Sequence, residues 1–441
     1  MNTLKFNLKD CGKIRIMHAV NNAPKAPGKT QSIGNFESYK ALNIPYARYH
    51  DTMLWRAAGG PNVVDISSIF KDFSKDENDP ASYDFFYTDK YVQTTFAAGT
   101  KPFFRLGESI EHGEKKYNVH PPQDFNKWAR ICEHIISHYT EGWADGFKYD
   151  MEYWEIWGEA DCKDKSLWTG TQQEFFDLYE ITAKHLKSRF PHLKIGGPGL
   201  SQTAFSDITW GGEFLEYMSA KNVPIDFFSW HIYADNTDEF IKMSNGVQEL
   251  LDKNGYTQTE NIMNEWNYVK DWTDNFTYSI KQIIGVKGAA FEAAVMCTAQ
   301  LKTTVDMAMY YDARPSGFNG IFDFYTMEPL KGYYPIKMFS ELYALGTQVE
   351  CINDMKDIYA LGAMNDNGQS AFMIARYEDD DNVTETKTVT VKIPELKNKT
   401  LECAVVDDIY TNKIDTVNTN ENGCLELNMK PNSVFFLKTT A

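Results

Sequence analysis

The strongest constraint on the fold is a regular alternation, between residues 14 and 345, of short β-rich apolar runs with longer amphipathic stretches. The eight β-rich runs are residues 14–20, 45–50, 102–106, 153–157, 194–197, 226–231, 261–264 and 305–311. Between them, apolar residues recur at helical spacing, most clearly at residues 125–139, 175–186, 240–251, 289–305 and 336–345. Strands that alternate with helices form a parallel sheet, and eight such units favour closure into a barrel. The sequence therefore predicts an α/β fold, a (β/α)8 TIM barrel.

An open, doubly wound sheet is the competing arrangement for alternating strands and helices. Such a sheet normally binds a nucleotide through a Gly-rich fingerprint after its first strand. The sequence contains neither a G-x-G-x-x-G motif nor a Walker loop. The closed barrel is therefore the favoured fold.

The hydrophobic pattern changes after Gly346, where apolar and polar residues begin to alternate. The alternation is clearest at residues 389–393 and 425–429, and polar turns occur at residues 365–368 and 420–423. Period-2 runs at short intervals are typical of an antiparallel β-sandwich. We therefore predict a barrel domain at residues 14–345 and a C-terminal sandwich domain at residues 346–441, to which residues 1–13 add a strand. The acidic segment 378–381 is predicted to be a solvated turn.

Charge and cysteine usage restrict the partners and the compartment. The formal net charge is −17, which disfavours nucleic acid and anionic membranes and suits a neutral substrate. The seven cysteines are scattered with no C-x-x-C pair, which indicates reduced thiols rather than a disulfide framework. No signal peptide or apolar membrane span is visible. The expectation is a cytoplasmic protein, or a periplasmic or secreted one if a signal peptide has been removed; the oligomeric state is left open.

Three of the eight predicted strands end in ionisable residues. The fourth run continues as YWEIWGEAD to Glu159, the sixth as FSWHIY through His231, and the seventh as IMNEWN through Glu265. Functional groups of a (β/α)8 barrel lie at the carboxyl ends of its strands. A single glutamate at a strand end is most simply a solvated loop residue. Two glutamates on different strands of one barrel are the pair that glycoside hydrolysis needs, one protonated and one ionised.

These motifs resemble glycoside hydrolase family 39 of clan A, whose best-known members are β-xylosidases and α-L-iduronidases. The run WEIWGEAD is similar to that clan's acid/base signature, and NIMNEWN is similar to its nucleophile strand. The segments ARYHD at 47–51 and SWHIY at 229–233 match the same family in order and spacing. The resemblance covers the whole barrel, and the trailing sandwich fits it too.

The resemblance implies a retaining enzyme that cleaves a β-linked sugar by double displacement, most like a β-xylosidase. It makes Glu159 the general acid/base and Glu265 the nucleophile. It also implies that His50 and His231 contact the sugar, and that Tyr233 hydrogen-bonds Glu265 and keeps it ionised. The substrate is then an oligosaccharide or glycoside, and neither a metal nor an organic cofactor is needed.

Gly158 is the main departure from the family pattern. The clan usually has Asn there, whose amide hydrogen-bonds the sugar 2-hydroxyl, and it has Pro at the position of Ala160. A 2-hydroxyl hydrogen bond that strengthens in the transition state contributes several kcal/mol. Gly158 therefore implies a slow enzyme, a substrate with an unusual 2-position, or a donor supplied from elsewhere.

Other ionisable residues have simpler explanations. Glu155 is predicted to point into the barrel interior as part of its packed polar layers. His134 and His138 have the i,i+4 spacing of metal ligands but are predicted to lie on a solvated helix face. Three arginines at or just after strand ends could bind a substrate carboxylate, but pairing with acidic residues explains them better. They are Arg48, Arg105 and Arg314.

Rival functions within the same class are an arabinosidase, a glucosidase or a uronidase. A rival from another class is a non-catalytic carbohydrate-binding barrel that lost activity through Gly158. An unrelated barrel enzyme, such as an isomerase or aldolase, would require a Lys base or metal ligands at the strand ends, and the sequence shows neither. Ser/His/Asp hydrolysis has no G-x-S-x-G elbow to support it.

Overall fold

Eight parallel strands close into a barrel in a computed structural model that describes residues 2–25, 34–52, 62–206 and 209–440. The first strand of the chain, β1 (Thr3–Lys13), lies outside this barrel. The barrel strands follow one another in chain order: β2 (Ile16–Asn21), β3 (Tyr46–Arg48), β4 (Lys101–Leu106), β5 (Tyr153–Ile156), β6 (Lys194–Leu200), β7 (Phe227–Ala234), β8 (Glu260–Tyr268) and β9 (Met307–Tyr310). All eight predicted strands are present, so the predicted fold class is confirmed.

Helices connect the strands around the outside of the barrel. They are α1 (Phe36–Lys40), α2 (Ile66–Ile69), α3 (Phe86–Ala97), α4 (Phe125–Thr140), α5 (Gln172–Arg189), α6 (Thr203–Ser206), α7 (Trp210–Ala220), α8 (Thr237–Lys253), α9 (Phe276–Ile283), α10 (Val286–Lys302) and α11 (Tyr333–Leu345), with 3-10 turns at Pro80–Ser82 and Trp143–Asp145. Helix α4 shows why they form: Asp124 caps its first turn by accepting from the backbone N–H groups of Asn126 and Lys127. Its apolar stripe, which includes Trp128 and Ile135, is buried.

The interior of the barrel has an apolar floor near the start of its strands. Phe103 of β4 and Phe227 of β7 meet across the barrel with ring centroids 4.9 Å apart. The other members of this cluster are Ala19, Tyr46, Tyr153, Ile262, Met307 and Met309. Side chains alternate along a strand, so the next inward positions lie one layer higher. That layer is polar and buried, and it includes Arg48, Glu155, Ser229 and Asn264.

The second sheet has nine strands and is mostly antiparallel. Its order is β15-β14-β17-β12-β11-β10-β1-β13-β16, and the strands not yet introduced are β10 (Thr347–Ile352), β11 (Ile358–Met364), β12 (Ser370–Arg376), β13 (Lys387–Lys392), β14 (Thr400–Val406), β15 (Lys413–Asn418), β16 (Cys424–Met429) and β17 (Ser433–Thr439). The pairing of β1 with β13 is parallel, which the alternation did not predict. One apolar cluster, including Phe6, Phe372 and Val391, fills the sheet's own core. The domain boundary at 345/346 stays a prediction.

One surface prediction was wrong, and another holds only in part, because Asp380 and Asp381 are exposed. The segment 378–381 is not a freely solvated turn, because Asp379 and Asp381 form ion pairs with Lys270 and Lys287 of the barrel. His138 is not on a solvated face, because it is 2 % exposed, stacks on a phenylalanine ring 3.6 Å away and bonds Asp89 through Nε2. The helical spacing of apolar residues does not by itself distinguish a face exposed to solvent from a face that a neighbouring loop covers. In the part of the chain that the structure describes, no helix is both long and apolar enough to span a bilayer.

Candidate active site

The segment after β5 turns sharply, so that the side chains of Trp157 and Glu159 face in opposite directions. Trp157 and Glu159 both have left-handed backbone angles, with φ of 64° and 45°, which are uncommon for residues with a side chain. Trp157 packs outward against Trp128 and donates from its indole N–H to the carbonyl of Leu167 at 2.7 Å. Glu159, held by its N–H to the carbonyl of Gly199 at 2.8 Å, lines the cavity at the barrel mouth.

Glu265 faces the interior because β8 carries one extra residue. Trp230 of β7 pairs with Met263, but the next residue, His231, pairs with Glu265, so Asn264 is the additional one. Strict alternation would point Glu265 outward, on the same face as Met263. A bulge re-aims the side chains that follow it, and both Asn264 and Glu265 hydrogen-bond to groups inside the barrel.

Strand β7 supplies two side chains that contact the glutamates. Nδ1 of His231 lies 2.8 Å from Oε1 of Glu159, and Nε2 of the same ring lies 3.7 Å from Oε2 of Glu265. The hydroxyl of Tyr233 donates to Oε1 of Glu265 at 2.5 Å. One oxygen from each glutamate and one ring nitrogen of His231 all lie within 4.8 Å of one another.

Arg48 supplies the positive charge beneath the two glutamates. Its Nη1 lies 3.0 Å from Oε2 of Glu265, and its Nε lies 2.6 Å from Oε2 of Glu155. Ser229 and Asn264 donate to the other oxygen of Glu155, at 2.7 and 2.6 Å. A buried charge needs partners of this kind. The polar layer therefore fixes the guanidinium, and the guanidinium fixes one oxygen of Glu265.

His50 and its neighbour Asp51 form the wall beside Glu265. Nδ1 of His50 lies 3.0 Å from Oδ2 of Asp51, and Nε2 lies 3.9 Å from Oε2 of Glu265. Burial by itself lowers the pKa of His50, but the negative charges of Asp51 and Glu265 outweigh it and raise that pKa overall. The carboxylate of Asp51 also accepts from the N–H of Ile110 at 3.0 Å, which ties this wall to the loop after β4.

Burial changes the pKa values of two groups around the cavity in opposite directions. It raises the pKa of Glu159 above the ordinary carboxyl range, and Asp51 and Asp164 add to this rise while His50 and Arg48 oppose it. Burial also lowers the pKa of His231 to about 4, so its ring is neutral at pH 7. The site therefore contains one carboxyl group with a tendency to stay protonated, next to a second carboxyl group that two donors hold.

The cavity at the barrel mouth has a volume of about 510 Å³, within the range of small-molecule sites. Five of the predicted site residues line it: His50, Glu159, His231, Tyr233 and Glu265. Its aromatic walls are Tyr311, Phe318 and Trp272, and its polar edge includes Ser201, Gln202 and Thr203. An apolar ring beside polar groups suits the two faces of a sugar.

Gly158 does not line this cavity. A Cβ atom added at Gly158 would lie 3.4 Å from Nη2 of Arg48 and 3.7 Å from Cδ of Arg105, so a side chain there would start toward the arginines. Nη2 of Arg48 is buried and has no hydrogen-bond partner among the described residues. Position 158 therefore stands next to a free donor inside the barrel wall.

The other ionisable residues considered in the sequence contact protein groups. Glu155 points into the barrel interior, and the arginines pair with protein carboxylates: Arg105 with Asp65 and Arg314 with Asp312. Ser229 and Asn264 are not among the site residues predicted from the sequence. Asn264 had a signal, because it directly precedes Glu265 in the NIMNEWN motif. Ser229 had none beyond its place two residues before His231.

Glu159, His231 and Glu265 are also the types of side chain that bind metals, and their spacing would allow a shared ion. The guanidinium of Arg48, 3.0 Å from Glu265, already provides a positive charge there. A divalent cation at the same carboxylate would be repelled by it. The chemistry of these donors therefore favours proton transfer over metal binding.

Comparison with known proteins agrees with this geometry. A sequence model of glycosyl hydrolases family 39 matches residues 46–323, which is more than half of the chain. A β-xylosidase from Geobacillus stearothermophilus is 33% identical over 202 residues, covering 43% of this chain and 38% of that protein. A β-xylosidase from Caldicellulosiruptor saccharolyticus is 29% identical over 222 residues, covering 48% of this chain and 41% of that protein.

The chain thus matches less than half the length of each of these curated relatives. Among solved structures, a glucosidase from Croceicoccus marinus superposes with a TM-score of 0.82 at 22% identity, and the match covers 100% of this chain and 99% of that one. At this identity the superposition shows a shared fold. Together with the family match over the barrel, it leads to one conclusion: this chain belongs to glycosyl hydrolases family 39.

Proposed function

We propose that this protein is a retaining β-glycosidase, most like a β-xylosidase, with Glu265 as nucleophile and Glu159 as general acid/base. The observation that carries the proposal is that carboxylate oxygens of the two glutamates lie within 4.8 Å of each other in one cavity. Retaining enzymes hold their carboxyl groups about 5–5.5 Å apart, whereas inverting enzymes leave about 6.5–9.5 Å for a water molecule. A separation of this size supports retention.

In the first step Glu265 attacks the anomeric carbon, and the bond to the leaving oxygen breaks. Tyr233 and Arg48 each bind one oxygen of Glu265, which stabilises its ionised form and orients it. Glu159 gives its proton to the leaving oxygen. Burial favours the protonated form of this group before the reaction, and the product of the step is a glycosyl-enzyme at Glu265.

In the second step Glu159, now ionised, removes a proton from a water molecule. That water attacks the anomeric carbon and releases Glu265, so the sugar leaves with the configuration it had at the start. His231, whose Nδ1 lies 2.8 Å from Glu159, keeps this carboxyl group in place for both steps. Two displacements at one carbon need no group beyond these side chains and water.

The substrate is a neutral sugar. The three arginines that could bind a sugar carboxylate, Arg48, Arg105 and Arg314, do not line the cavity, and all three pair with protein carboxylates. This disfavours the uronidase alternative. The choice of xylose rests on the two β-xylosidase relatives, and the structural similarity to a glucosidase keeps glucose as the second candidate.

Covalent labelling tests the proposal directly. An activated 2-deoxy-2-fluoro-β-xyloside should inactivate the enzyme and add one fluoro-sugar to the peptide that contains Glu265, as measured by mass spectrometry. Glu265→Gln is the control and should stay unlabelled. NMR of the first product of an aryl β-xyloside should show the β anomer. A first product in the α form would overturn retention, and a protein that neither reacts nor turns over any aryl glycoside would be a binding barrel.

A further inference from the structure

Trp272 is a large aromatic side chain at the mouth of the cavity, and half of it is exposed. It lines the cavity although it is 52% exposed. Its ring lies 5.0 Å from that of Tyr233 at an angle of 74°, and 5.6 Å from that of Phe276 at 22°. Through Tyr233 it is one side chain away from Glu265. An exposed ring of this size next to a sugar site is a surface on which a ligand can stack.

Trp272 lies on a segment without regular secondary structure. Residues 269–275, which we call the Trp272 arm, connect β8 to α9 and contain neither helix nor strand. The N–H of Val269 donates to the carbonyl of Ala234 at 3.2 Å. Within the arm, the Asp271 carboxylate accepts from the N–H groups of Thr273 and Asn275. The arm also contacts its surroundings: the N–H of Lys270 donates to Oγ of Ser279 at 2.9 Å, and the ring of Trp272 lies 6.0 Å from that of Phe318.

A further attachment of the arm comes from the second sheet. Residues 378–382, which we call the acidic turn, follow β12 and reach the arm from outside the barrel. Asp379 accepts from the hydroxyl of Tyr268 at 2.7 Å and from Nζ of Lys270 at 2.5 Å. Tyr268 immediately precedes the arm and Lys270 lies within it. Asp379 therefore binds the arm at its N-terminal end, two residues before Trp272.

A second carboxylate of the acidic turn binds the elements that follow the arm. Asp381 accepts from the hydroxyl of Tyr278 at 2.7 Å and from Nζ of Lys287 at 2.6 Å. The side chain of Lys287 is only 3% exposed. A buried ammonium group requires a partner, so this contact is costly to break. The acidic turn is thus anchored on α9 and α10 while Asp379 reaches the arm.

We propose that Asp379 is a positioning residue that holds Trp272 as the platform for the leaving group of the substrate. The proposal rests on the function proposed above. The reacting carbon must lie between Glu159 and Glu265, so the hydrolysed sugar fills the cavity and the leaving group projects to its mouth. There the exposed face of Trp272 covers an apolar face of the leaving group. The second sheet thereby contributes to selectivity without touching the substrate.

The test compares three variants of the full-length protein: Asp379→Asn, Trp272→Ala and the matched control Asp380→Asn. Asp380 lies in the same turn, but among the residues that the structure describes its carboxylate accepts only from the backbone and side-chain nitrogens of Asn382. The measured quantity is the ratio of inhibition constants of two inert ligands, methyl and phenyl 1-thio-β-xyloside. Both fill the sugar site, and only the phenyl group reaches the platform.

The wild-type protein and Asp380→Asn should prefer the phenyl ligand by about threefold to tenfold, the range expected for one aromatic contact. Trp272→Ala should abolish the preference. Asp379→Asn should reduce it while leaving the inhibition constant of the methyl ligand unchanged. Hydrogen exchange, which needs no ligand, should accelerate in peptides covering residues 269–275 in Asp379→Asn and not in Asp380→Asn.

Two results would overturn the proposal. A Trp272→Ala protein that keeps the phenyl preference has no platform at this residue. An Asp379→Asn protein that keeps the preference, or that loses affinity for both ligands equally, has no positioning role at this carboxylate. If the wild-type protein binds neither xyloside, the choice of xylose fails instead, and the same ratio is then measured with thioglycosides of the sugar that the enzyme hydrolyses.

Discussion

The hydroxyl of Tyr233 donates a hydrogen bond of 2.5 Å to Oε1 of Glu265. The other oxygen of this carboxylate faces Nη1 of Arg48 at 3.0 Å. Burial raises the pKa of Tyr233 well above its ordinary value, so the hydroxyl keeps its proton and remains a donor. Each oxygen of Glu265 is thus held by its own donor, as the nucleophile role proposed above requires.

Replacing Tyr233 by Phe should slow formation of the glycosyl-enzyme. A hydrogen bond to a charged group contributes about 1.5–3 kcal/mol, so kcat/KM for an aryl β-xyloside should fall about tenfold to 150-fold. Tyr217→Phe is the control, because Tyr217 also donates to carboxylates, those of Asp177 and Glu180, on the outer helices. Equal kinetics for the Tyr233→Phe and Tyr217→Phe proteins would contradict the role of the hydroxyl.

Azide rescue should distinguish the roles of the two glutamates. Glu265→Ala should abolish turnover, and azide should then restore it with an α-configured glycosyl azide. In Glu159→Ala, azide should instead give the β-configured product, and activated aryl glycosides should be least affected because their leaving groups need no proton. NMR of the isolated azides measures both outcomes. Products with exchanged configurations would mean that the two assignments are reversed.

Asp164→Asn should move the basic limb of the pH profile to lower pH. Glu159 must be protonated at the first step, so kcat/KM falls as pH rises through its pKa. The charge of Asp164 is one of the causes that raise this pKa, and a neutral Asn removes it. We expect a shift of a few tenths of a pH unit, since Asp164 is exposed to solvent. Asp150→Asn, which removes an exposed charge that pairs with Lys101 at the start of β4, should shift nothing.

Gly158→Asn should raise kcat/KM on sugars that carry a 2-hydroxyl. The carbonyl of the new amide can accept from the unpaired Nη2 of Arg48, next to which its Cβ would lie. The expected gain rests on the amide NH2 reaching the sugar 2-hydroxyl as the Asn of the family pattern does, although Gly158 itself does not line the cavity. The gain should reach about tenfold per 1.4 kcal/mol recovered. The corresponding 2-deoxy glycoside is the control and should gain nothing. Loss of activity on the 2-hydroxy sugar alone would show that glycine makes room for a larger 2-substituent.

Glu292→Gln should stabilise the protein at neutral and alkaline pH. Glu292 on α10 is 1% exposed, and burial raises its pKa from 4.5 to about 8. The unfolded chain releases this proton near pH 4.5 while the folded protein keeps it, so wild-type stability falls between these values by at most about 1.4 kcal/mol per pH unit. The variant lacks this slope. Thermal unfolding at pH 4.5 and pH 8 measures this slope. Glu249→Gln, at an exposed position, is the control. If the stability of the wild type and of Glu292→Gln changed equally with pH, the prediction would be contradicted.

The strands and helices of the barrel could be predicted because they depend on local patterns. The spacing of apolar residues along a few turns or a few strand positions determines which face is buried. Residues at strand ends, such as Glu159 and His231, could be predicted for the same reason. The carboxyl ends of all parallel strands meet at one face, wherever the exact register lies.

Contacts between distant parts of the chain could not be predicted in this way. Arg48 and Glu265 are 217 positions apart, and their ion pair requires the extra residue in β8 that turns Glu265 inward. The hydrophobic period of β8 does not reveal the extra residue, because it is extra only in relation to the pairing of β8 with β7. The acidic turn is a similar case, since its charges suggest solvent until Lys270, 109 positions away from Asp379, is placed beside it.

The sequence by itself thus determined the barrel, the second sheet and the strand ends that carry ionisable side chains, because each follows from the period of hydrophobicity over short segments. Tertiary structure alone decided which of those side chains meet, at what distances and with which counter-charges. It did so because hydrogen-bond register and the packing of the second sheet on the barrel are properties of the closed fold. A carboxylate such as Glu265 obtains its two donors, Arg48 and Tyr233, only where that closure brings them to its oxygens.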